Sequence, residues 1–215
     1  MRIYVIRHGQ TESNAGNIRQ SKEGYLSQDG IQEARSVAER MSSLTIDSIF
    51  TSSYPRARQT ADIISALGKG LPLQESDYLT EISLPSEVVG KPVDDPKSQK
   101  ILSWLKGHSS KKNARYSDEE TFNEYVSRAK YVLDYISKTG FKNSVMITHH
   151  RFIHILVAVV LLGENLTPEL FGVMHPHLYI SNTGITILEN DADTHNKWRL
   201  LTLNEHSHLK EVTAS

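Results

Sequence analysis

Cysteine is absent from this 215-residue chain, which excludes disulfides, cysteine nucleophiles and thiolate metal sites together. An excess of charge is absent too. The 24 lysines and arginines stand against 25 aspartates and glutamates, so no global field marks a nucleic-acid or membrane partner. Long hydrophobic runs are missing: the longest, Ile155 to Leu162, falls well short of the roughly 18 residues of a membrane span and reads as a buried helix. The N-terminal stretch MRIYVIRHGQTE lacks the apolar core of a signal peptide, so an intracellular, cytoplasmic location is the expectation. Repeats and low-complexity segments are also missing. The length suits one core with one embellishment. The expected organisation is a single domain over 1–215, with a cap insertion at 84–116 and a flexible tail at 205–215.

What is present is an alternation of strands and helices. Ile3 to Ile6 reads as a buried strand that ends abruptly at Arg7-His8-Gly9. Asp29 with Gln32 resembles a helix N-cap and its reciprocating residue, followed by Ile31, Ala34, Ala38 and Met41 at helical spacing. Ile46 to Thr51 is a second strand, and Pro55 suits the first turn of a helix carrying Ala57, Ala61, Ile64 and Leu67 on one side. Pro85, Pro92 and Pro96 interrupt the next stretch, in which only Lys97 to Lys106 looks helical. Glu119 to Lys138 is amphipathic and closes at Gly140. Ser144 to Thr148 forms a strand that leads through His149-His150-Arg151 into an apolar helix from Phe152 to Leu162. Gly184 to Glu189 and Trp198 to Leu203 complete the strands.

This order predicts an α/β three-layer sandwich, with a mostly parallel central sheet and helices on both faces. In such sheets ligands gather beyond the carboxyl ends of the strands. His8 and His149 fall at strand ends and Arg56 just after one, so the pattern brings them together. Two histidines and two arginines at one point suit a dianionic phosphate. Guanidinium forks pair with its oxygens, and a neutral imidazole can attack phosphorus without a metal.

The residues Arg7-His8-Gly9-Gln10-Thr11-Glu12-Ser13-Asn14 resemble the R-H-G-x-T-x-x-N signature of the histidine phosphatase superfamily, which includes the cofactor-dependent phosphoglycerate mutases. RHG alone carries little weight. Further matches follow in the family's order. Leu26 to Gly30 resembles L-T-x-x-G, and Ser52 to Ala61 resembles S-S-x-x-R-A-x-Q-T-A. Leu79-Thr80-Glu81 is similar to L-x-E, Val145 to His149 to the strand of the second histidine, and Asn182-Thr183 to a late N-T/S element. The resemblance implies a phosphatase acting on phosphomonoesters, with no cofactor and no metal. It makes His8 the nucleophile, Arg7, Arg56 and His149 the phosphate clamp, Asn14 a supporting donor and Glu81 the general acid and then base. Chemistry separately asks for such a carboxylic acid, because an alkoxide leaving group needs a proton.

Three departures qualify the match. His150 stands where the family has glycine, and could crowd a turn or contact phosphate. Glu81-Ile82-Ser83-Leu84-Pro85 replaces the mutases' E-R-H-Y-G, which argues against mutase activity. Arg19-Gln20-Ser21 is displaced from the usual R-x-Q-G and lacks its glycine, and Gln20 is a candidate substrate contact.

Arg58 is read as a solvated or salt-bridged side chain. Glu75, Asp77 and Glu87 lie near enough in sequence to stand in for Glu81. The basic residues of the insertion, Lys91, Lys97, Lys100, Lys106, Lys111, Lys112 and Arg115, are read as a solvated face before a second anion site, and Trp104 as a packing anchor. Beside the small-phosphomonoester phosphatase stand three alternatives: a phosphoglycerate mutase, an inactive phosphate-binding module, and a metal-dependent hydrolase on His149, His150 and His154. A small phosphorylated substrate is the expected partner.

Overall fold

The computed structural model describes residues 1–67, 70–108, 114–191 and 198–209. Lys111 and Lys112 therefore lie outside the described residues, as does the tail beyond Leu209.

The first strand, β1 (Arg2–Arg7), is followed by a short α1 (Glu12–Ala15) and by α2 (Gln28–Ser42). Next come β2 (Ser48–Ser52), α3 (Pro55–Leu67) and β3 (Leu73–Ser76). The helix α4 (Pro96–His108) follows. The chain then forms α5 (Phe122–Ser137), β4 (Asn143–Thr148), α6 (His150–Leu162) and α7 (Pro168–Met174), and closes with β5 (Ile185–Asn190) and β6 (Trp198–Glu205). The sheet runs β3-β2-β4-β1-β5-β6. The first four of these strands are parallel neighbours, and β5 and β6 join antiparallel.

Period-two alternation in the central strands builds two cores. Ile3, Val5 and Met146 face one side, where α5 supplies Ala129, Val132, Leu133 and Ile136 and α6 supplies Phe152, Ile153 and Leu156. Tyr4, Ile6, Val145 and Ile147 face the other, against Val37 and Met41 of α2 and Ala57, Ala61 and Ile64 of α3. The result is the three-layer α/β arrangement, with β1, β2 and β4 all ending at one edge.

Several boundaries differ from the expected ones for identifiable reasons. The N-cap of α2 is Ser27, not Asp29: the Ser27 hydroxyl accepts from the Gly30 N–H and also meets the Gln10 side chain. α5 starts at Phe122 because Thr121 and Glu124 form a capping box. α6 starts two residues before its apolar run, at His150. The strand β3 and the helix α7 carry no strong sequence pattern and were not expected. β6 runs through Glu205, and the His208 ring meets the Thr183 hydroxyl at 3.1 Å, so the chain through Leu209 is placed on the body.

Candidate active site

At the common edge of β1, β2 and β4 lies an open cavity of about 1020 Å³, lined by Arg7, His8, Asn14, Gln20, Arg56 and Glu81 among others. His149 sits behind this lining, fully buried, its ring centroid 5.0 Å from that of His8. The structure thus brings together Arg7, His8, Asn14, Gln20, Arg56, Glu81 and His149.

His8 leaves β1 at its C-terminal end. Its Nδ1 lies 2.7 Å from the Gly9 carbonyl oxygen, which can only accept, so Nδ1 carries the proton and Nε2 bears the lone pair. The Arg56 Nε–H donates toward that Nε2 at 3.3 Å. Burial, then Arg56 and Arg7, pushes the His8 imidazole well below its ordinary range. The ring is therefore neutral at pH 7, as a nucleophile must be.

Glycine at position 9 has a packing reason. A Cβ there would lie 2.5 Å from the Gly30 carbonyl oxygen, and a Cβ on Gly30 would lie 2.0 Å from that of Gln10. The loop after β1 therefore rests directly on the first turn of α2. Glu33 of α2 accepts from the Gln10 N–H at 2.7 Å, and Thr60 of α3 accepts from the Gly9 N–H at 3.1 Å.

Arg56 occupies the first turn of α3 and is buried. Its Nη1 donates to the Ser21 carbonyl at 2.9 Å, and its Cζ lies 4.9 Å from the Tyr54 ring centroid. Burial lowers its pKa to about 10, with Glu81 and Tyr54 acting in the opposite direction, so it remains a cation at pH 7. Arg7 donates from Nη1 to the Ile180 carbonyl at 2.8 Å, while its buried Nε has no hydrogen-bond partner among the described residues. An unpaired buried guanidinium N–H suits an anion that completes it.

His149 is the N-cap residue of α6 and donates no side-chain cap. Its Nε2 lies 2.8 Å from the Ser52 hydroxyl, which also accepts from the Tyr54 N–H at 3.2 Å. Its buried Nδ1 has no partner among the described residues. Burial, His8 and the two site arginines keep this ring neutral as well.

Glu81 supplies the cap that His149 does not. Its Oε1 accepts from the Ile82 and Phe152 N–H groups at 2.9 and 3.0 Å, and its Oε2 from the Arg151 N–H at 3.1 Å. The loop that bears Glu81 is pinned by Arg128, which forks onto Glu120 at 2.7 Å for each bond and donates to the Tyr78 and Thr80 carbonyls.

Asn14 spends its Oδ1 on the Thr11 N–H in a capping box that opens α1, and Asn182 donates to the His8 carbonyl at 2.9 Å. Gln20 lines the cavity with a buried Oε1 that has no partner among the described residues. His150 adopts ordinary helical backbone at the start of α6 and lines the cavity without crowding a turn. Burial and then Arg7 lower its pKa to about 3.

Arg58 pairs with Asp62 and Glu75 on the surface. Trp104 is partly exposed and stacks on His108 at 4.1 Å between centroids. No lysine of residues 84–116 lines the phosphate cavity among the described residues; Leu84, Ser86, Val89 and Val93 of that stretch do. His150 and His154 approach to 4.4 Å, but among the described residues no group of three or more His, Cys, Asp or Glu side chains is placed to hold a metal ion. Sequence reasoning did not single out Ser52 or Tyr54 within the S-S-x-x-R segment that contains both, nor Gln10 beside the first motif.

Comparison with known proteins adds independent findings. The family model of the histidine phosphatase superfamily (branch 1) matches residues 3–206. A Hydrogenobacter thermophilus protein named "Putative phosphoserine phosphatase 2" is 26% identical over 99% of each chain. An Erwinia tasmaniensis protein named "Probable phosphoglycerate mutase GpmB" is 28% identical over 75% of each. The fold is shared with an Entamoeba histolytica phosphoserine phosphatase solved with phosphoserine, with a TM-score of 0.76 and 23% identity over 97% of this chain and 99% of that one. Among the described residues no helix is long and apolar enough to cross a membrane.

Proposed function

The chain belongs to the histidine phosphatase superfamily, branch 1, and from that premise we propose that it hydrolyses small phosphomonoesters through a phosphohistidine on His8. The observation that carries this reading is the Nδ1–H bond to the Gly9 carbonyl, which leaves the lone pair on Nε2, directed at the Arg56 Nε–H.

The phosphoryl dianion enters between Arg7, Arg56 and His149, and the Arg56 N–H that now faces Nε2 turns to a phosphoryl oxygen. Nε2 attacks phosphorus in line as the P–O bond to the alcohol breaks, and Glu81 gives its proton to the departing oxygen. Fixed guanidinium and imidazole N–H groups stabilise the equatorial charge. Glu81, now a carboxylate, takes a proton from water. The resulting hydroxyl attacks phosphorus, the P–N bond breaks, and neutral His8 and inorganic phosphate are restored. Asn14 and Gln20 act at the cavity wall as supporting contacts.

A mutase would return the phosphoryl group to a second hydroxyl, and here Ile82, Ser83 and Leu84 line the site after Glu81, where the mutases' E-R-H-Y-G carries basic and aromatic residues. The inactive-module reading loses its motive, since His150 fits its helix and Gln20 lines the cavity. Stoichiometric release of inorganic phosphate from a phosphomonoester panel is the expected result. Persistent phosphoryl return to acceptor alcohols, or binding without turnover across the panel, would overturn it.

A further inference from the structure

A second cavity of about 760 Å³ adjoins the phosphate cavity. Ile82, Ser83, Leu84 and Arg151 line both, so one short wall segment is common to the two spaces. The second cavity is lined in part by apolar and aromatic side chains, Leu105 of α4, Phe122 of α5 and Phe171 of α7, with the charged Glu119 and Glu169 also in its lining. One polar atom stands out. His154 lines this cavity at 2% exposure, and its Nε2 has no hydrogen-bond partner among the described residues. A buried polar atom without a partner is costly unless a ligand or water completes it. Burial, then His175 and Arg151, lowers the His154 pKa to about 4, so the ring meets its partner uncharged. His150, one helical turn earlier on α6, lines the phosphate cavity with its ring 4.4 Å from that of His154. The two rings stand side by side between the cavities.

Building on the phosphatase reading, we propose that the second cavity receives the alcohol part of the substrate. The substrate class is then a phosphomonoester of a bulky alcohol with a ring-bearing, largely apolar body and an uncharged group that hydrogen-bonds His154 Nε2. Pockets for ligands of that size span roughly 300–1,000 Å³ and combine apolar walls with a few convergent polar groups. A phosphoserine-sized ester would leave this space unused.

Phosphonates test the proposal without turnover. Methylphosphonate, benzylphosphonate and biphenyl-4-ylmethylphosphonate are titrated calorimetrically into the whole chain. Affinity should rise at least tenfold, about 1.4 kcal/mol, from the first to the last. A 4′-hydroxyl on the biphenyl should add a further gain that His154→Phe removes. Gly172→Phe should abolish most of the biphenyl gain, because Gly172 lines the cavity and an added Cβ meets nothing within 4 Å among the described residues. Leu105→Trp fills the cavity from the opposite wall, so one misfolded variant does not decide the matter. Equal affinity for all three phosphonates in the unaltered chain, or a gain that survives both filling variants, would overturn the subsite. Phosphate release from p-nitrophenyl phosphate is measured alongside. Turnover without the affinity gain defeats the subsite alone, and the gain without turnover defeats the phosphatase reading alone.

Discussion

The floor of the phosphate cavity and its outer wall are built by different means. On the floor, β1, β2 and β4 end side by side and deliver His8, Ser52 and His149 from a sheet whose neighbouring residues are fully buried. Ring tautomer and loop position are fixed there by Gly9, Thr60 and Glu33. The wall is lighter. Residues 17–19 pair with 90–93 through a few backbone hydrogen bonds, and Arg19 ties the two by donating to the Pro92 and Val93 carbonyls from an exposed position. The lesson is a division of labour, with chemistry on rigid strand ends and substrate selection on segments that can vary without unfolding the core.

Breaking the floor should have the largest effect. Arg56→Ala removes the cation beside Nε2 and should lower kcat/KM about 10³-fold or more, the scale of losing an arginine from a phosphoryl-transfer site, with the folded spectrum retained. A loss under about tenfold, read against the same benchmark, would move the phosphate away from Arg56.

Glu81→Gln comes next, at about 10² to 10⁴-fold on alkyl phosphates. The pre-steady-state burst with an aryl phosphate should be partly spared, because that leaving group departs as a stable anion. Equal burst losses for both would take the acid role from Glu81. In the structure Asp77 is engaged with Ser53 and Glu75 with Arg58, which leaves them worse placed as replacements.

The buried histidines of α6 should set the response to acid. His150 and His154 have folded pKa values of about 3 and about 4, below the ordinary 6.5. The unfolded chain therefore binds protons that the folded chain refuses, and stability falls as pH drops from about 6.5 toward these values. Each histidine contributes up to about 1.4 kcal/mol per pH unit within its window. Urea midpoints at pH 7 and pH 5 check this, and the loss should shrink in His154→Phe. A midpoint independent of pH in this range would contradict the burial of these rings.

The wall should yield the smallest effect. Arg19→Ala removes exposed contacts to backbone carbonyls and should cost no more than about 1 kcal/mol of stability, with kcat on p-nitrophenyl phosphate nearly preserved. A collapse of kcat would place catalytic geometry on the wall and erase the contrast.

The same contrast governs how much was legible in the sequence. On the floor, residue type and local spacing carry the message. In the Ser52 to Ala61 segment, Ser52 meets His149, Arg56 meets His8, Gln59 accepts from the Leu26 N–H, Thr60 holds Gly9, and Ala57 and Ala61 let the helix pack closely. The start of α6 was hidden because the carboxylate that caps it comes from Glu81, some seventy residues away. β3 was hidden because Leu73-Gln74-Glu75-Ser76 is a short edge strand without apolar alternation. The second cavity draws on Ser83, Leu105, His154 and Phe171, residues that no local pattern connects.

The most direct test is to quench the enzyme within its first turnover on a ³²P-labelled phosphomonoester and map the trapped phosphoryl group. The account predicts one acid-labile, alkali-stable phosphoryl group on His8 Nε2, absent from His8→Ala together with turnover. Label on another residue, or normal turnover by His8→Ala, would contradict it.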